Sequence, residues 1–361
     1  MIQSSECKAS SGNKLRIGII MGGISSEKDV SLESGRNIFS KIDRKNYDPT
    51  PIFMDSHGGL WEIPIKLLMR NSARDIEDDL NEEAILIPYE SMKDRFDLIC
   101  LGLHGKYGED GCMQGLLELL GIPYTGSGVL SSAIGMDKWV CRKILMNSGI
   151  FVPKTIPVEK KKRLQGNDAD ITKQIEKHLG FPCIVKPTRE GCSTAVKKVF
   201  SQEGITDALN AAFVWDDIAL IEEFVDGTEV TCVVLGEEPP LALIPSETIP
   251  TDDVLTLEDK FLYGQGENKT PARLPDDIIQ RIREVAVKTF TALDLKGYAR
   301  IDMFVRRNGE VIVLEPNTLP GMTPSTVLFH QAAALGISQT ELIDRIIKTA
   351  IRVHGDKKGP L

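Results

Sequence analysis

Paired cysteines are missing from this chain. Its seven cysteines, Cys7, Cys100, Cys112, Cys141, Cys183, Cys192 and Cys232, are scattered and include no C-x-x-C. Neither a disulfide framework nor a zinc site is indicated. The five histidines do not cluster either. No run is long and apolar enough to span a membrane, and the first fourteen residues lack the apolar core of a signal peptide. Residues 1–14 are therefore expected to form a flexible N-terminus, and the protein to be cytoplasmic. Basic charge is not in excess: the net charge is −9. That balance argues against general nucleic-acid binding, yet allows a local cationic pocket for an anionic ligand. Two nucleotide fingerprints are also absent. Gly22-Gly23 follows the first strand without G-x-G-x-x-G, which disfavours a dinucleotide oxidoreductase, and no G-K-[ST] follows the glycine at 191.

What remains is an ordinary globular composition, 42% hydrophobic and 26% charged over 361 residues. Such a length predicts two or three domains. The most informative stretch is residues 297–322, GYARIDMFVRRNGEVIVLEPNTLPGM. Two strand-like runs flank Asn308-Gly309, a hairpin signal because a type I′ turn needs positive φ at both central residues. A two-residue turn pairs Arg307 with Glu310, and counting back sets Asp302 opposite Glu315 and Arg300 opposite Asn317. Alternation puts all four on one face, with opposed Cβ atoms ~5 Å apart. Facing carboxylates of this kind suit Mg²⁺ shared with nucleotide phosphates. The alternative is a solvated sheet edge carrying an Arg300–Glu315 ion pair.

In chain order, LRIGIIM (15–21) is a buried strand, with an amphipathic helix from about Val30 to Ile42. Glu27 lies between them, at the carboxyl end of the strand, where α/β proteins place ligands. It is either an anchor for a cationic substrate group or an acid meeting the helix dipole. Residues 47–54 and 96–105 are further strands, the latter ending in His104-Gly105. MQGLLELL opens a helix, IPYTGS is a short strand, and 15–125 forms an open parallel α/β domain. A helix from Ser131 carries Lys138, which a solvated lysine also explains. PCIVKPT is a strand ending in Lys186, followed by a glycine-and-hydroxyl loop suited to covering phosphate. ALIEEFV and TEVTCVVLG bring Glu222 and Glu229 near strand ends. Residues 126–225 are expected to form an α+β domain with a small antiparallel sheet. The long polar loop at 251–274, around Lys260, has the character of a lid. A helix over Asp276–Leu293, the hairpin and terminal helices complete 226–361.

Taken in order, GGISSEKDVSLESG, HGKYGEDGCMQGLLELLGIPYTGSGV, MDK, VKPTREGCS, IEEFVDGTE, RIDMF and LEPNTLPGMT resemble the D-alanine–D-alanine ligase family of the ATP-grasp superfamily. The resemblance runs from about Arg16 to Ala350. It implies a three-domain ATP-grasp fold mixing α/β and α+β parts: a substrate-binding domain (15–125), a central small domain (126–225) and a catalytic domain (226–361). It implies ligation of two D-alanines with ATP, through a D-alanyl phosphate, for peptidoglycan precursors. Lys138 and Lys186 would bind the ATP phosphates, with Ser193 in the loop above them. Glu222, Glu223 and Val225 would meet adenine, and Glu229 the ribose. Asp302, Glu315 and Asn317 would hold two Mg²⁺ ions, or Mn²⁺ in their place. Glu27 would take the first D-alanine's ammonium, and His104 would contact the substrates. Arg300 and the Gly321 N–H would meet the tetrahedral oxyanion, while Lys260 assists at the transferred phosphate. The family is commonly dimeric.

Four positions depart from the family's usual pattern. Cys192 and Phe261 replace a serine and a tyrosine that link to the Glu27 position by hydrogen bonds; Cys192 is a weak donor and Phe261 has no hydroxyl. Tyr263 is a candidate replacement. Thr326 stands for the serine that meets the second substrate's carboxylate, and Glu223 for a lysine. Phe261 also resembles ligases that take D-lactate or D-serine second, so this activity stays open beside D-alanine ligation. A non-catalytic nucleotide-binding protein on the same fold is the third reading.

Overall fold

A computed structural model describes residues 14–165, 168–191, 194–249 and 267–355. Cys192, Ser193, Lys260, Phe261 and Tyr263 lie outside the described residues. Three sheets organise the chain.

The first is built from β1 (Leu15–Gly22), α1 (Lys28–Lys41), β2 (Tyr47–Met54), β3 (Leu60–Glu62), α2 (Ile65–Leu68), α3 (Ala73–Glu83), β4 (Ile85–Leu86), α4 (Met92–Arg95), β5 (Leu98–Leu101) and α5 (Cys112–Leu120). Its order is β4-β3-β2-β1-β5. β1 is parallel to β2 and β5, but β3 and β4 join antiparallel. The expected all-parallel sheet is therefore mixed. The cause is the turn after β2: Asp55 Oδ1 accepts from His57 and Gly59 N–H, and Gly58 has φ +92°. This short reversal leaves no room for a crossover helix. IPYTGS contributes one bridge, Ile99 to Tyr124, rather than a strand.

The helix expected from Ser131 is two helices, α6 (Val129–Met136) and α7 (Lys138–Asn147). Asp137 breaks them, its Oδ1 accepting from the N–H of Trp139 (3.1 Å) and Val140 (2.9 Å). An aspartate N-cap of this kind restarts the backbone ladder. Lys138 is thus the first residue of α7, and it is buried.

The second sheet combines β6 (Thr155–Glu159), α8 (Lys160–Gln165), α9 (Asp168–His178), β7 (Cys183–Pro187), β8 (Lys197–Val199), α10 (Ile205–Ala212) and β9 (Ile218–Glu223). Its strands run β6-β9-β7-β8, all antiparallel. Ile175, Val185, Leu209 and Ile221 fill a separate small core beneath it. α7 does not join that core. Its Cys141 and Leu145 pack with the third sheet.

The third sheet holds β10 (Gly227–Leu235), β11 (Leu241–Ala242), β12 (Ser246–Ile249), β13 (Glu267–Lys269), β14 (Tyr298–Arg306) and β15 (Val311–Asn317), with α11 (Asp276–Ala292), α12 (Val327–Ala333) and α13 (Gln339–Gly355). Alternation decides what each face does. Cys232, Val234, Ala299, Ile301 and Met303 point to α7 and α11. Val233, Leu235 and Tyr298 point the other way, into the core shared with β1, α1 and α13. Further along that second face, the apolar residues give way to Arg300, Asp302, Thr231 and Glu229.

The hairpin pairs Arg300 with Asn317 and Asp302 with Glu315, as counted from the sequence. The route differs. The turn holds three residues, since Arg306 and Glu310 bond across it and Gly309 N–H donates to Arg306 C=O. Only Gly309 has positive φ there, +78°, the type I turn with a glycine bulge. From Val305 to Met303 the register is one residue off the expected count. A bulge between Asp302 and Met303 restores it.

Candidate active site

Four polar side chains, Arg300, Asp302, Glu315 and Asn317, end the polar half of the β14–β15 face. Arg300 Nε and one terminal nitrogen donate to the two oxygens of Asp302 at 2.8 and 2.9 Å. Thr231 Oγ1 donates to Asp302 Oδ1 (2.9 Å) and Asn317 Nδ2 to Oδ2 (3.0 Å). Glu315, directly opposite Asp302, lies 3.2 Å from Lys138 Nζ. The ion pair considered from the sequence was Arg300 to Glu315; the structure pairs Arg300 with Asp302, two residues along the same strand. The reason is reach: a guanidinium fork fits a carboxylate on its own face with two parallel bonds. Each opposed carboxylate is thus matched by its own cation.

The second sheet faces this floor across a cavity of about 500 Å³. Lys186 and Glu222 line it from β7 and β9, Glu229, Phe304 and Glu315 from the third sheet. Lys138 reaches in from the start of α7 and also donates to Glu190 C=O (2.6 Å). Glu222 is nearly inaccessible, with Arg142 at 2.6 Å and Lys186 at 3.1 Å from Oε1. Burial pushes its carboxyl up, but those two charges outweigh it and leave it below the ordinary value. Burial holds the Lys186 ammonium below its usual range, with Arg142 and Lys138 adding to the effect and Glu222 opposing it. Glu223 also lines the cavity, with its Oε1 accepting from Lys154 N–H (3.0 Å) and Arg306 (2.9 Å). Val225 is buried at the cavity wall.

The first sheet closes the site from the side. Glu27, the residue before α1, is buried. Its Oε1 lies so near the backbone at Gly105 and Gly191 that a Cβ there would come to 3.0 and 2.8 Å. The glycine loop after β7 therefore reaches Glu27. His104 is buried, with Nδ1 3.0 Å from Leu319 C=O and Nε2 2.8 Å from Ser34 Oγ. A carbonyl only accepts, so Nδ1 carries the proton and Nε2 accepts from the Ser34 hydroxyl. Ser34 Oγ in turn accepts from Met322 N–H (3.0 Å). His104 thus fixes the 318–326 loop, which contains the buried Gly321 and ends in Thr326, the N-cap residue of α12. Thr326 Oγ1 donates to Thr323 C=O (3.0 Å).

Glu109 joins the same two loops, accepting from Gly105 N–H (2.9 Å) and Leu319 N–H (3.1 Å). Burial, then the Glu27 charge, pushes its carboxyl up to about 7. Burial holds the His104 imidazole down at about 4, helped by the Arg300 charge. The two act oppositely on stability. A raised carboxyl makes the folded state bind the extra proton, so stability falls as pH rises from the ordinary carboxyl value to about 7. A lowered imidazole makes the unfolded state bind it, so stability rises from about pH 4 to the ordinary histidine value. Each slope approaches 1.4 kcal/mol per pH unit, and over the shared window they offset. Glu109→Gln should unmask the histidine: its urea midpoint should climb between pH 4.5 and 6.5, more steeply than the wild-type's. Equal slopes in the two proteins would remove Glu109 from this balance.

The structure thus brings Lys138, Lys186, Glu222, Glu229 and Glu315 to one cavity, with Asp302 opposite Glu315 and bonded to Arg300 and Asn317, and with Glu27 against Gly191 at its edge. Sequence reasoning passed over Arg142 and Glu109. Arg142 had a signal, since it lies four residues after Lys138 on one helix face. Glu109 sits inside HGKYGEDG without a distinguishing residue pattern. Among the described residues, no group of three or more His, Cys, Asp or Glu side chains forms a metal cluster; the set here is two carboxylates and an amide. No described helix is long and apolar enough to cross a membrane.

A family model described as the D-ala D-ala ligase N-terminus matches residues 16–127, and one described as the D-ala D-ala ligase C-terminus matches 144–348. A D-alanine–D-alanine ligase of Pelotomaculum thermopropionicum is 35% identical over 344 residues, covering 95% of this chain and 99% of the relative. The crystal structure of the VanG D-Ala:D-Ser ligase from Enterococcus faecalis superposes with a TM-score of 0.82 at 29% identity, covering 94% and 100% of the two chains. The D-alanine–D-alanine ligase from Bacillus anthracis complexed with ATP superposes at 0.73 with 34% identity, covering 95% and 100%.

Proposed function

The chain belongs to the D-alanine–D-alanine ligase family and is an enzyme of that activity on an ATP-grasp fold; from this premise we propose how its residues divide the work. The observation that carries the division is the pair of opposed carboxylates, Asp302 and Glu315, facing two buried lysines across a cleft. ATP lies in that cleft, its phosphates between Lys138 and Lys186 and its ribose at Glu229. Glu222, Glu223 and Val225 border the base.

Asp302, Glu315 and Asn317 offer hard oxygen donors on adjacent strands, a set that fits Mg²⁺. Bound there, the ion would neutralise triphosphate charge. Glu27 holds the first D-alanine's ammonium. The D-alanine carboxylate attacks the γ-phosphorus, ADP leaves, and an acyl phosphate forms. The second D-alanine's amine attacks the acyl carbon. Arg300 and the Gly321 N–H meet the oxyanion, and phosphate then departs with the bond pair. The fixed 318–326 loop presents Gly321 and Thr326 together, which is the task we assign to His104. The Gly191 loop against Glu27 keeps water from the acyl phosphate. We assign Ser193 to that loop's phosphate contacts, Cys192 to a weakened link toward Glu27, Lys260 to the transferred phosphate and Phe261 to the second pocket. The three-part division at 125 and 225, a homodimer, a cytoplasmic location and a place in peptidoglycan precursor synthesis belong to the same proposal, as does the absence of nucleic-acid and membrane partners.

D-serine or D-lactate as second substrate is the competing version, favoured by Phe261. Incubation with ATP, Mg²⁺ and D-alanine, alone or with each competitor, followed by product mass spectrometry, decides between them. The proposal expects D-alanyl-D-alanine as the main product even with the competitor in equal amount. A dominant D-alanyl-D-serine or D-alanyl-D-lactate product would replace it.

A further inference from the structure

Arg142 has no part in the reaction as described, yet it is among the largest fully buried side chains of the protein. It sits one helical turn after Lys138 on α7. From there one terminal nitrogen touches Glu222 Oε1 (2.6 Å) and Thr155 Oγ1 (2.6 Å). Thr155 and Glu222 are cross-strand partners on β6 and β9. The contacts of Glu222 with Arg142 and Lys186 are ion pairs by distance, and Oε1 makes no directed hydrogen bond. Arg142 Nε and its other terminal nitrogen are likewise buried without a hydrogen-bond partner among the described residues. Burying a cation with unmet donors costs free energy, so such a group calls for an explanation.

We propose that Arg142 is a positioning residue for nucleotide choice, holding Glu222 ionised and in place at the base end of the cavity. The inference rests on the reading that places a purine against Glu222. An ionised carboxylate only accepts hydrogen bonds. It therefore welcomes the 6-amino group of adenine and repels the 6-oxo group of hypoxanthine or guanine. A carboxyl that has taken up a proton can donate to that oxygen, and the discrimination is lost. In an enclosed site, carboxylates without a cationic partner gain protons readily. Lys186 alone is a poor substitute, because it also faces the phosphates.

The test compares ATP with inosine triphosphate in the full-length protein, by kcat/KM for D-alanine-dependent phosphate release, and compares ADP with IDP by calorimetry. Arg142→Met should lower ATP kcat/KM by ~10-fold or more, a loss of about 1.4 kcal/mol. It should leave the inosine nucleotide within about 2-fold, so that the ratio collapses. Arg142→Lys, which keeps a cation, should restore most of the ratio. Equal losses for both nucleotides, or an unchanged ratio, would reduce Arg142 to a structural role and overturn the inference. If Arg142→Met does not fold, Glu222→Gln decides: its amide can donate to a 6-oxo group, so the ratio must fall, and a wild-type ratio refutes the idea. Wild-type protein that fails to release phosphate with D-alanine would defeat the proposed reaction, while the ADP and IDP binding comparison would still judge Arg142.

Discussion

Glu315→Gln is expected to lose D-alanine-dependent phosphate release by at least ~10²-fold, the scale set by removing one group that meets transition-state charge. The shape of the side chain is kept and only its charge is removed. Asp302 then loses the carboxylate opposed to it, and Lys138 loses the partner 3.2 Å away. The fold should tolerate the change. Glu315 keeps about a fifth of its side chain exposed, and the strands beneath it are held by apolar packing on the opposite face. A melting temperature within about 2 °C of wild type is the matching expectation, on the order of 1 kcal/mol for a chain of this length. A stable Glu315→Gln protein with near-normal turnover would show that the opposed carboxylates do not hold metal.

Arg300→Met should be harsher, because Arg300 serves both stability and chemistry. The Arg300–Asp302 pair is about nine-tenths buried on both sides. Removing one member of a buried pair costs ~3–5 kcal/mol. The low end applies here, since Thr231 and Asn317 still donate to Asp302. Turnover should fall by ~10²–10³-fold as the oxyanion loses its charged donor. Arg300→Lys separates the two effects. A lysine restores charge near Asp302 but not the two-bond fork, so denaturation midpoints should recover further than kcat. An Arg300→Met protein that melts early yet keeps wild-type kcat would confine Arg300 to holding Asp302.

The hairpin shows how much of this was legible in the residues. Strand runs and a turn dipeptide were enough to set Asp302 against Glu315, because a cross-strand count depends on few unknowns. The count succeeded although the turn is one residue longer than assumed, since the bulge after Asp302 cancels the error. Bulges are set by tertiary packing and leave little trace in a local pattern. Lys138 was visible as part of MDK, but its burial was not: that follows from the Asp137 cap, which re-aims the chain so that α7 starts inside the cleft. Long-range partners were the hardest to see. The Arg142–Glu222 contact spans eighty residues, and the Glu109 bridge to Leu319 more than two hundred. Only the packing of three sheets brings them together.

The central claim is that the carboxylate of the first D-alanine attacks ATP and is carried as an acyl phosphate. D-alanine labelled with ¹⁸O in both carboxyl oxygens tests this directly, with mass analysis of the phosphate released in a ligation reaction. One ¹⁸O should appear in the phosphate for each D-alanyl-D-alanine made, because the bridging oxygen leaves with phosphorus when the second amine attacks carbon. Phosphate free of label, alongside normal dipeptide formation, would contradict the account.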